Sequence, residues 1–508
     1  MINSIFIEIK FLNIIFNKLG IIFIIDIYSI FFLQTIFLIT RAVYFYSNFY
    51  IEFSKSFLNI LLLFFLSILI LIFGVNLFSL ILGWDGLGIT SFILIIFYKN
   101  FYRAIAGLST FLVTRSGDLI IILSINLNLK KIDSLKTFFS SKFIVIIILL
   151  AFITKRAQYP FIRWLPIAIA APTPISALVH SSTLVTAGIY EIIRFELIIK
   201  KELFLIFRFI SLFTILFGRI FAMSEKDFKK LVAISTLRQI GMLSLLSFII
   251  EKNYCFFHLI CHAFFKSFLF LNIGFVIKKN NGEQDIRLID SIIINSPNLM
   301  IITIITSISI YGTPFISGFF AKDFFFNSII KLDQRFFFLV GFFLSSTFTA
   351  IYRIKIIIQL WFKNSKGFKF KLNKNDKNFK FISFIYLIKI IIIGLFIESI
   401  IMLEDLFLIY CRDKIYILII YTWRIIAFWV AIDFSNYFKN FFCSMIYINI
   451  WIYKFFFIKM KIIKIKSLET SWRENFYETI KKIIKKSFAI IFFFMPISSI
   501  IVLIQIIC

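Results

Sequence analysis

The sequence predicts an all-α membrane protein, a polytopic helical bundle of about fourteen transmembrane helices, and three observations carry that prediction. Of the 508 residues, 61% are hydrophobic and 16% charged, against roughly 25% charged in soluble proteins. With a mean hydropathy of +0.97, the chain has too few polar groups to cover a folded surface in water. Apolar runs of spanning length recur from one end to the other. The formal charge of +29, from 55 basic and 26 acidic residues, sits mostly between those runs. There it fits the positive-inside rule and anionic lipid head groups better than a nucleic acid. Secreted disulfide scaffolds, disordered chains and ordinary cytosolic enzymes are excluded by the same arithmetic.

In chain order the candidate spans lie at about 21–45, 56–73, 75–97, 104–127 and 142–159, then 174–195, 203–222, 230–250, 255–277, 298–320 and 335–361. Three more follow at about 380–402, 415–433 and 484–506, and 440–459 is a further candidate. Lys10 and Lys18 flank short apolar stretches with no small-residue cleavage site, so no cleavable signal is expected. The five cysteines form no CxxC pair and no metal spacing, so neither a zinc nor an iron–sulfur site is expected.

Two basic stretches mark the last third, Lys363 to Lys380 and Lys459 to Lys486. If 380–402 and 415–433 both cross, the two stretches share one face, as positive-inside predicts. A crossing at 440–459 would separate them, so an interfacial helix over about 437–483 is expected instead. Pro160, Pro166, Pro172 and Pro174 cluster between two spans, and Pro314 lies inside another, between Gly312 and Gly318. Proline removes a backbone donor and breaks helices. Irregular backbone at membrane depth survives where it is buried in protein or lines a wet cavity, and it often marks ion pathways. A kink or a connecting loop is the plainer reading of each.

The informative charges are those inside apolar sequence, because a charge at the bilayer centre costs roughly 2.5–3.5 kcal/mol and needs a partner, water or a function. Asp85 lies in LILGWDGLGITSFILIIF, with no other charge between Lys55 and Lys99. Lys155 and Arg156 close FIVIIILLAFIT, Lys322 and Asp323 follow GTPFISGFFA, and Lys266 sits in LICHAFFKSFLFLNIGF. All three histidines fall in such regions: His180 in TPISALVHSSTLVTAG, His258 and His262 in FFHLICHAFFK. His258, His262 and Lys266 are spaced i, i+4, i+8 and share one helical face. That arrangement suits a proton relay, since both residue types change protonation when desolvated.

Each site has a bland alternative. His258 and His262 could bind zinc, without an evident third ligand. Asp85 could cap a helix start at the Gly83/Gly86/Gly88 cluster. Lys322 and Asp323 could be a snorkelling pair. Asp227, Lys229 and Lys230 read as a charged first turn, and Asp118 could pair locally with Arg115. Together the acids and bases, spread over many spans, fit ion translocation better than a structural bundle. No P-loop, nucleophile elbow, HExxH or dinucleotide fingerprint is present.

The pieces LGWDGLGITSF, TRSGDL, ITKRAQYPFIRWLPIAIAAPTPISALVHSSTLVTAGIY, DFKKLVAISTLRQIGM, FHLICHAFFKSFLFLNIG, GEQDIR and GTPFISGFFAKD run in order over about 81–323. In them the sequence closely resembles the chain 5 family of NADH–ubiquinone oxidoreductase, the distal antiporter-like subunits of respiratory complex I. The resemblance implies half-channels with inverted five-helix repeats, broken helices and a C-terminal lateral helix. It implies that Asp85 is the acid of an acid–lysine pair, Lys155 the lysine on the first broken helix and His180 the bridging position beyond it. His258, His262 and Lys266 match the central relay, and Lys322 the terminal lysine at the second break. Asp118, Asp227 and Lys229 match further charged positions.

The implied function is a proton-translocating core subunit of the mitochondrial inner membrane, coupling NADH-to-ubiquinone electron transfer to proton pumping. NADH, FMN, iron–sulfur clusters and ubiquinone then belong to other subunits. The implied partners are the other membrane-arm subunits, above all the neighbouring chain 4, with accessory subunits and lipids such as cardiolipin, and no nucleic acid. The implied layout is N-terminal spans over 1–80, the antiporter-like core over 81–361, C-terminal spans over 362–436, the lateral helix over 437–483 and an anchor over 484–508. Residues 1–20 hold at most a stub where the family has one or two more spans. Asp85 stands where many members carry Glu, and Arg156 where a small residue is usual, which would set a second cation beside Lys155. An Mrp-type cation/proton antiporter subunit, which shares the core motifs, is the alternative function, and a non-transporting scaffold the third.

Overall fold

The structure, a computed structural model, describes residues 5–10, 20–51, 55–74, 77–98, 100–128, 142–195, 204–249, 252–280, 282–287, 297–311 and 317–330, with Phe338 and Gly341. All of them lie in the compact unit Met1–Ser435. The spans expected at 380–402, 415–433 and 484–506, the candidate 440–459, the lateral helix and both basic stretches lie outside the described residues, as does 335–361 but for those two positions.

The first expected span divides. Strands β1 (Ile5–Lys10) and β2 (Gly20–Ile25) pair antiparallel in register from Ile5↔Ile25 to Lys10↔Gly20, a departure from an all-helical reading. Isoleucine-rich runs favour a pleated strand. Helix α1 (Ile27–Tyr50) starts only after Asp26, whose carboxylate accepts from the Ser29 backbone N–H at 3.0 Å while the Ser29 hydroxyl accepts from the Asp26 N–H at 2.9 Å. This reciprocal cap satisfies two N–H groups that the helix itself leaves unpaired.

Helices α2 (Lys55–Phe73), α3 (Leu77–Ile96), α4 (Phe101–Asn128) and α5 (Lys142–Lys155) follow, each packed on the next. A Cβ on Gly86 would come 2.7 Å from the Ser67 Cβ, and one on Gly83 2.8 Å from the Leu71 Cβ. Gly83 and Gly86 therefore form a packing surface between α3 and α2, as small residues do in membrane bundles, and Asp85 sits inside α3 rather than capping it. On α4, Ile105, Leu108, Leu112, Leu119 and Leu123 form one exposed stripe, which turns Thr114, Asp118 and Ile121 inward.

Helix α5 stops at Lys155. Ala157 takes φ 52°, and the Gln158 N–H reaches back to the Ile153 carbonyl at 3.3 Å. This is a Schellman-type ending built on a non-glycine residue, which is strained by roughly 1–2 kcal/mol. A 3₁₀ turn (Phe161–Arg163) and the short helix α6 (Trp164–Ala168) lead to the extended Pro172. A helical rod then runs through an α-turn (Thr173–Ile175), a π segment (Ser176–Thr183) and α7 (Leu184–Phe195).

The remaining elements are α8 (Phe204–Ser224), α9 (Phe228–Ser247), α10 (Lys252–Lys279), α11 (Pro297–Tyr311) and α12 (Ser317–Ile330). The single span expected at 298–320 is thus two helices; Gly312 and Pro314 lie outside the described residues. Among the described residues, five helices are long and apolar enough to cross a membrane: Ile27–Asn48, Lys55–Phe73, Phe78–Ile96, Phe101–Ser124 and Lys252–Lys279. The last, α10, is 94% buried in its most apolar window, and α1, the π segment, α7, α9, α11 and α12 all pack against it.

Candidate functional site: a row of buried ionisable groups

The row starts on α3 and α4. Asp85 is ion-paired with Arg115 Nη1, and the same nitrogen lies 3.5 Å from Asp118 Oδ2. Asp118 Oδ1 in turn holds Lys155 Nζ at 2.7 Å, with both side chains about 5% exposed or less. Asp85 is thus linked to Lys155 through Arg115 and Asp118, and Lys155 also lies within electrostatic range of Asp85. Arg115 takes the Asp85 carboxylate, while Asp118, on the inward face of α4, meets the end of α5. The local Arg115–Asp118 pairing read from the sequence is also present. The Lys155 ammonium sits 5.1 Å from the centre of the Trp84 ring, a cation–π contact that further fixes its position.

Arg156 points elsewhere. Its guanidinium lies 5.5 Å from the Phe248 ring and its Nε donates to the Phe152 carbonyl at 3.2 Å, so it does not share the Asp118 carboxylate.

Beyond Lys155 the break in the backbone connects to His180. Trp164 Nε1 donates to the Thr154 carbonyl at 3.0 Å, and the Trp164 ring packs edge-on against the His180 imidazole, with centroids 6.3 Å apart. His180 is buried in the π segment, and π distortions often mark functional positions. Lys229 is buried within electrostatic range of His180 and donates to the Ala171 carbonyl at 2.7 Å.

The centre of the row is α10. His258, His262 and Lys266 are all buried on it, and Lys266 Nζ donates to Ser235 Oγ of α9 at 2.6 Å. Lys322 of α12 lies within electrostatic range of His258 and donates to the Ile310 carbonyl at 2.6 Å.

A common device appears at the helix breaks. The last carbonyls of a helix lack intrahelical donors and carry the negative end of its dipole. Lys322 occupies that position at the end of α11, and Lys229 takes the Ala171 carbonyl where the chain turns after α6. Lys155 is itself the last residue of α5. Each of these lysines is thus held beside a break in the helical backbone.

Asp227 lies apart from the row. It stands before α9 at the protein edge and pairs with Lys230 at 2.5 Å, both more than a third exposed. Arg238, buried on α9 and within electrostatic range of His258 and His262, was not singled out from the sequence. Its signal was a charge within the apolar stretch of DFKKLVAISTLRQIGM.

The family described as "NADH:quinone oxidoreductase/Mrp antiporter, TM" matches residues 74–349, more than half of the chain and all of the row. NADH-ubiquinone oxidoreductase chain 5 of Locusta migratoria is 39% identical over 346 residues, covering 66% of this chain and 60% of the relative. That of Anopheles arabiensis is 38% identical over 331 residues, covering 63% of this chain and 86% of the relative. The chain thus spans about 60% of the length of several relatives. The fold is similar to an Mrp complex of Dietzia sp., with TM-score 0.73 and 21% identity over 86% of this chain and 52% of that one. An archaeal membrane-bound sulfane sulfur reductase gives TM-score 0.69 and 20% identity over 75% and 82%.

Proposed function

We propose a role that starts from membership: this chain belongs to the NADH:quinone oxidoreductase/Mrp antiporter membrane family, and within it acts as the proton-translocating, antiporter-like subunit of respiratory complex I. The observation that supports this reading is the series of ionisable groups inside the bundle, the half-buried Asp85 and the buried Lys155, His180, Lys229, Lys266, His262, His258 and Lys322. A purely structural bundle gains nothing from so many charges at membrane depth, each of which costs several kcal/mol unless compensated.

Arg115 supplies the switch. Its Nη1 contacts Asp85 and lies 3.5 Å from Asp118. While it rests on Asp85, Asp118 is left to Lys155, which keeps its proton. When it moves onto Asp118, the lysine loses its counter-ion in a low-dielectric site and gives up the proton toward His180. The central relay of His262, His258 and Lys266 carries the charge change onward to Lys322. Electron transfer from NADH to ubiquinone, with its FMN and iron–sulfur clusters, belongs to other subunits and drives these shifts. The partners are the other membrane-arm subunits, with chain 4 as neighbour, and lipids such as cardiolipin. The location is the mitochondrial inner membrane.

The test is native-gel separation of mildly solubilised membranes, with an in-gel NADH dehydrogenase stain and peptide mass spectrometry of the active band. Recovery of this chain in the largest NADH-active band supports the reading. Recovery only in a smaller, NADH-inactive band points to an Mrp-type antiporter instead.

A further inference from the structure

One fully buried carboxyl group among the described residues lies outside the row described above. Glu191, on α7, is 0% exposed, and neither of its oxygens has a hydrogen-bond partner among the described residues. A buried carboxyl group needs a proton, a counter-ion or water, since leaving it without a partner is costly. Arg194, one turn further along α7, is the charged neighbour within electrostatic range. Its donors are committed elsewhere: Nη1 to the Gly74 carbonyl at 3.1 Å, Nη2 to the Ile24 carbonyl at 3.3 Å and to Asp26 Oδ1 at 3.1 Å. Asp26, which caps α1, is 30% exposed, so this end of the arrangement reaches the protein surface.

The other end packs against the end of α5. Gly188, Glu191 and Arg194 follow at i, i+3 and i+6 along one side of α7, where successive positions lie about 5–6 Å apart. Gly188 abuts Arg156: a Cβ there would come 2.8 Å from the Arg156 Cγ. The Arg156 side chain is fully buried, and its two terminal nitrogens have no hydrogen-bond partner among the described residues.

We propose that Glu191 is a proton-binding site on a branch that enters from the surface Asp26–Arg194 pair and runs along α7 toward the end of α5. Its carboxylate takes a proton arriving past Asp26 and returns it inward, so only an O–H bond is made and broken in each cycle. The branch rests on the proton-translocating reading given above.

The test uses native membranes and the assembled complex. A hydrophobic carbodiimide, which reacts with protonated carboxyl groups in apolar surroundings, is applied and the adduct located by peptide mass spectrometry. In parallel, proton uptake is measured for Glu191→Gln and Glu191→Asp, with Lys322→Met alongside. The expected result is an adduct on Glu191, uptake about tenfold slower in the Gln variant at an unchanged amount of assembled complex, and uptake near wild type in the Asp variant. No adduct, or a Gln variant that takes up protons at the wild-type rate, overturns the branch. Normal uptake in Lys322→Met would overturn the parent reading, while the adduct would still decide whether Glu191 holds a proton.

Discussion

Replacing Gly117 by alanine tests the helix contact that holds the first pair of the row together. A Cβ at Gly117 would overlap Thr154 Oγ1 and come 3.3 Å from the Ala151 carbonyl oxygen, so α4 and α5 are in backbone-level contact there. Asp118 and Lys155 are the next residues on the two helices and meet at 2.7 Å. Relief requires either that Thr154 rotate away, losing its 2.8 Å hydrogen bond to Ala151, or that the helices part. The first route costs about 0.5–1.5 kcal/mol. Overpacking that moves backbone typically costs about 1–3 kcal/mol. We therefore expect Gly117→Ala to destabilise this part of the bundle by about 1–3 kcal/mol and to slow proton pumping by stretching the Asp118–Lys155 pair. Adding Thr154→Ala removes the obstructing oxygen and leaves the Thr154 Cβ position 3.4 Å away, an ordinary contact. The double variant should recover most of the loss. The assays are thermal unfolding of the purified complex and proton uptake at matched NADH oxidation. Equal stability of Gly117→Ala and wild type, or simple addition of the two single effects, would refute this packing argument.

Three further outcomes follow from the same geometry. Lys266→Met should abolish most proton uptake while leaving assembly intact, whereas Ser235→Ala, which removes a single 2.6 Å bond to Lys266, should cost only about 0.5–1.5 kcal/mol of stability; uptake and melting curves separate the two. Outside the membrane, hydrogen bonds from Arg287 hold the Asp285 carboxyl down at about 2. Because that value lies below the ordinary carboxylate value of about 3.9, the contact stabilises the 282–287 turn above that pH and is lost as pH falls through about 2. Arg287→Ala leaves only the residue 287 backbone N–H on that carboxylate, so the stability lost on acidification should shrink, read by hydrogen exchange at the Phe228 and Ile286 amides, which tie the turn to the start of α9. Finally, the Lys363–Lys380 stretch should be protected from impermeant amine reagents added on the intermembrane side and labelled from the matrix side; the reverse pattern would sink the orientation.

Much of the described architecture was legible because the apolar runs are long and their breaks carry proline or charge. The runs at 56–73, 75–97 and 255–277 correspond closely to α2, α3 and α10. The N-terminal ribbon was not legible: an isoleucine-rich run reads the same as a strand or as part of a span, and only pairing with Ile5–Lys10 decides between them. Proline spacing pointed to the break after α5, but the turn itself hangs on Ala157, whose left-handed backbone no residue preference announces. The ionisable residues were legible one by one as charges in apolar surroundings. Their partners were not, since Arg115 taking Asp85 and Asp118 taking Lys155 depend on which face of α4 turns inward. Glu191 was passed over because in IYEIIRF it stands three residues from Arg194 and reads as an ordinary pair, whereas that arginine is spent on Asp26 and two carbonyls.

The most direct measurement is the proton yield per NADH oxidised in sealed vesicles carrying the assembled complex with Lys155→Met. If the Asp118-bound lysine is a proton carrier, NADH oxidation that remains is accompanied by a clearly reduced proton yield, and Lys155→Arg, which keeps the charge but holds its proton, fails in the same way. A wild-type yield in both variants would contradict proton translocation along the row and leave its charges with a structural role alone.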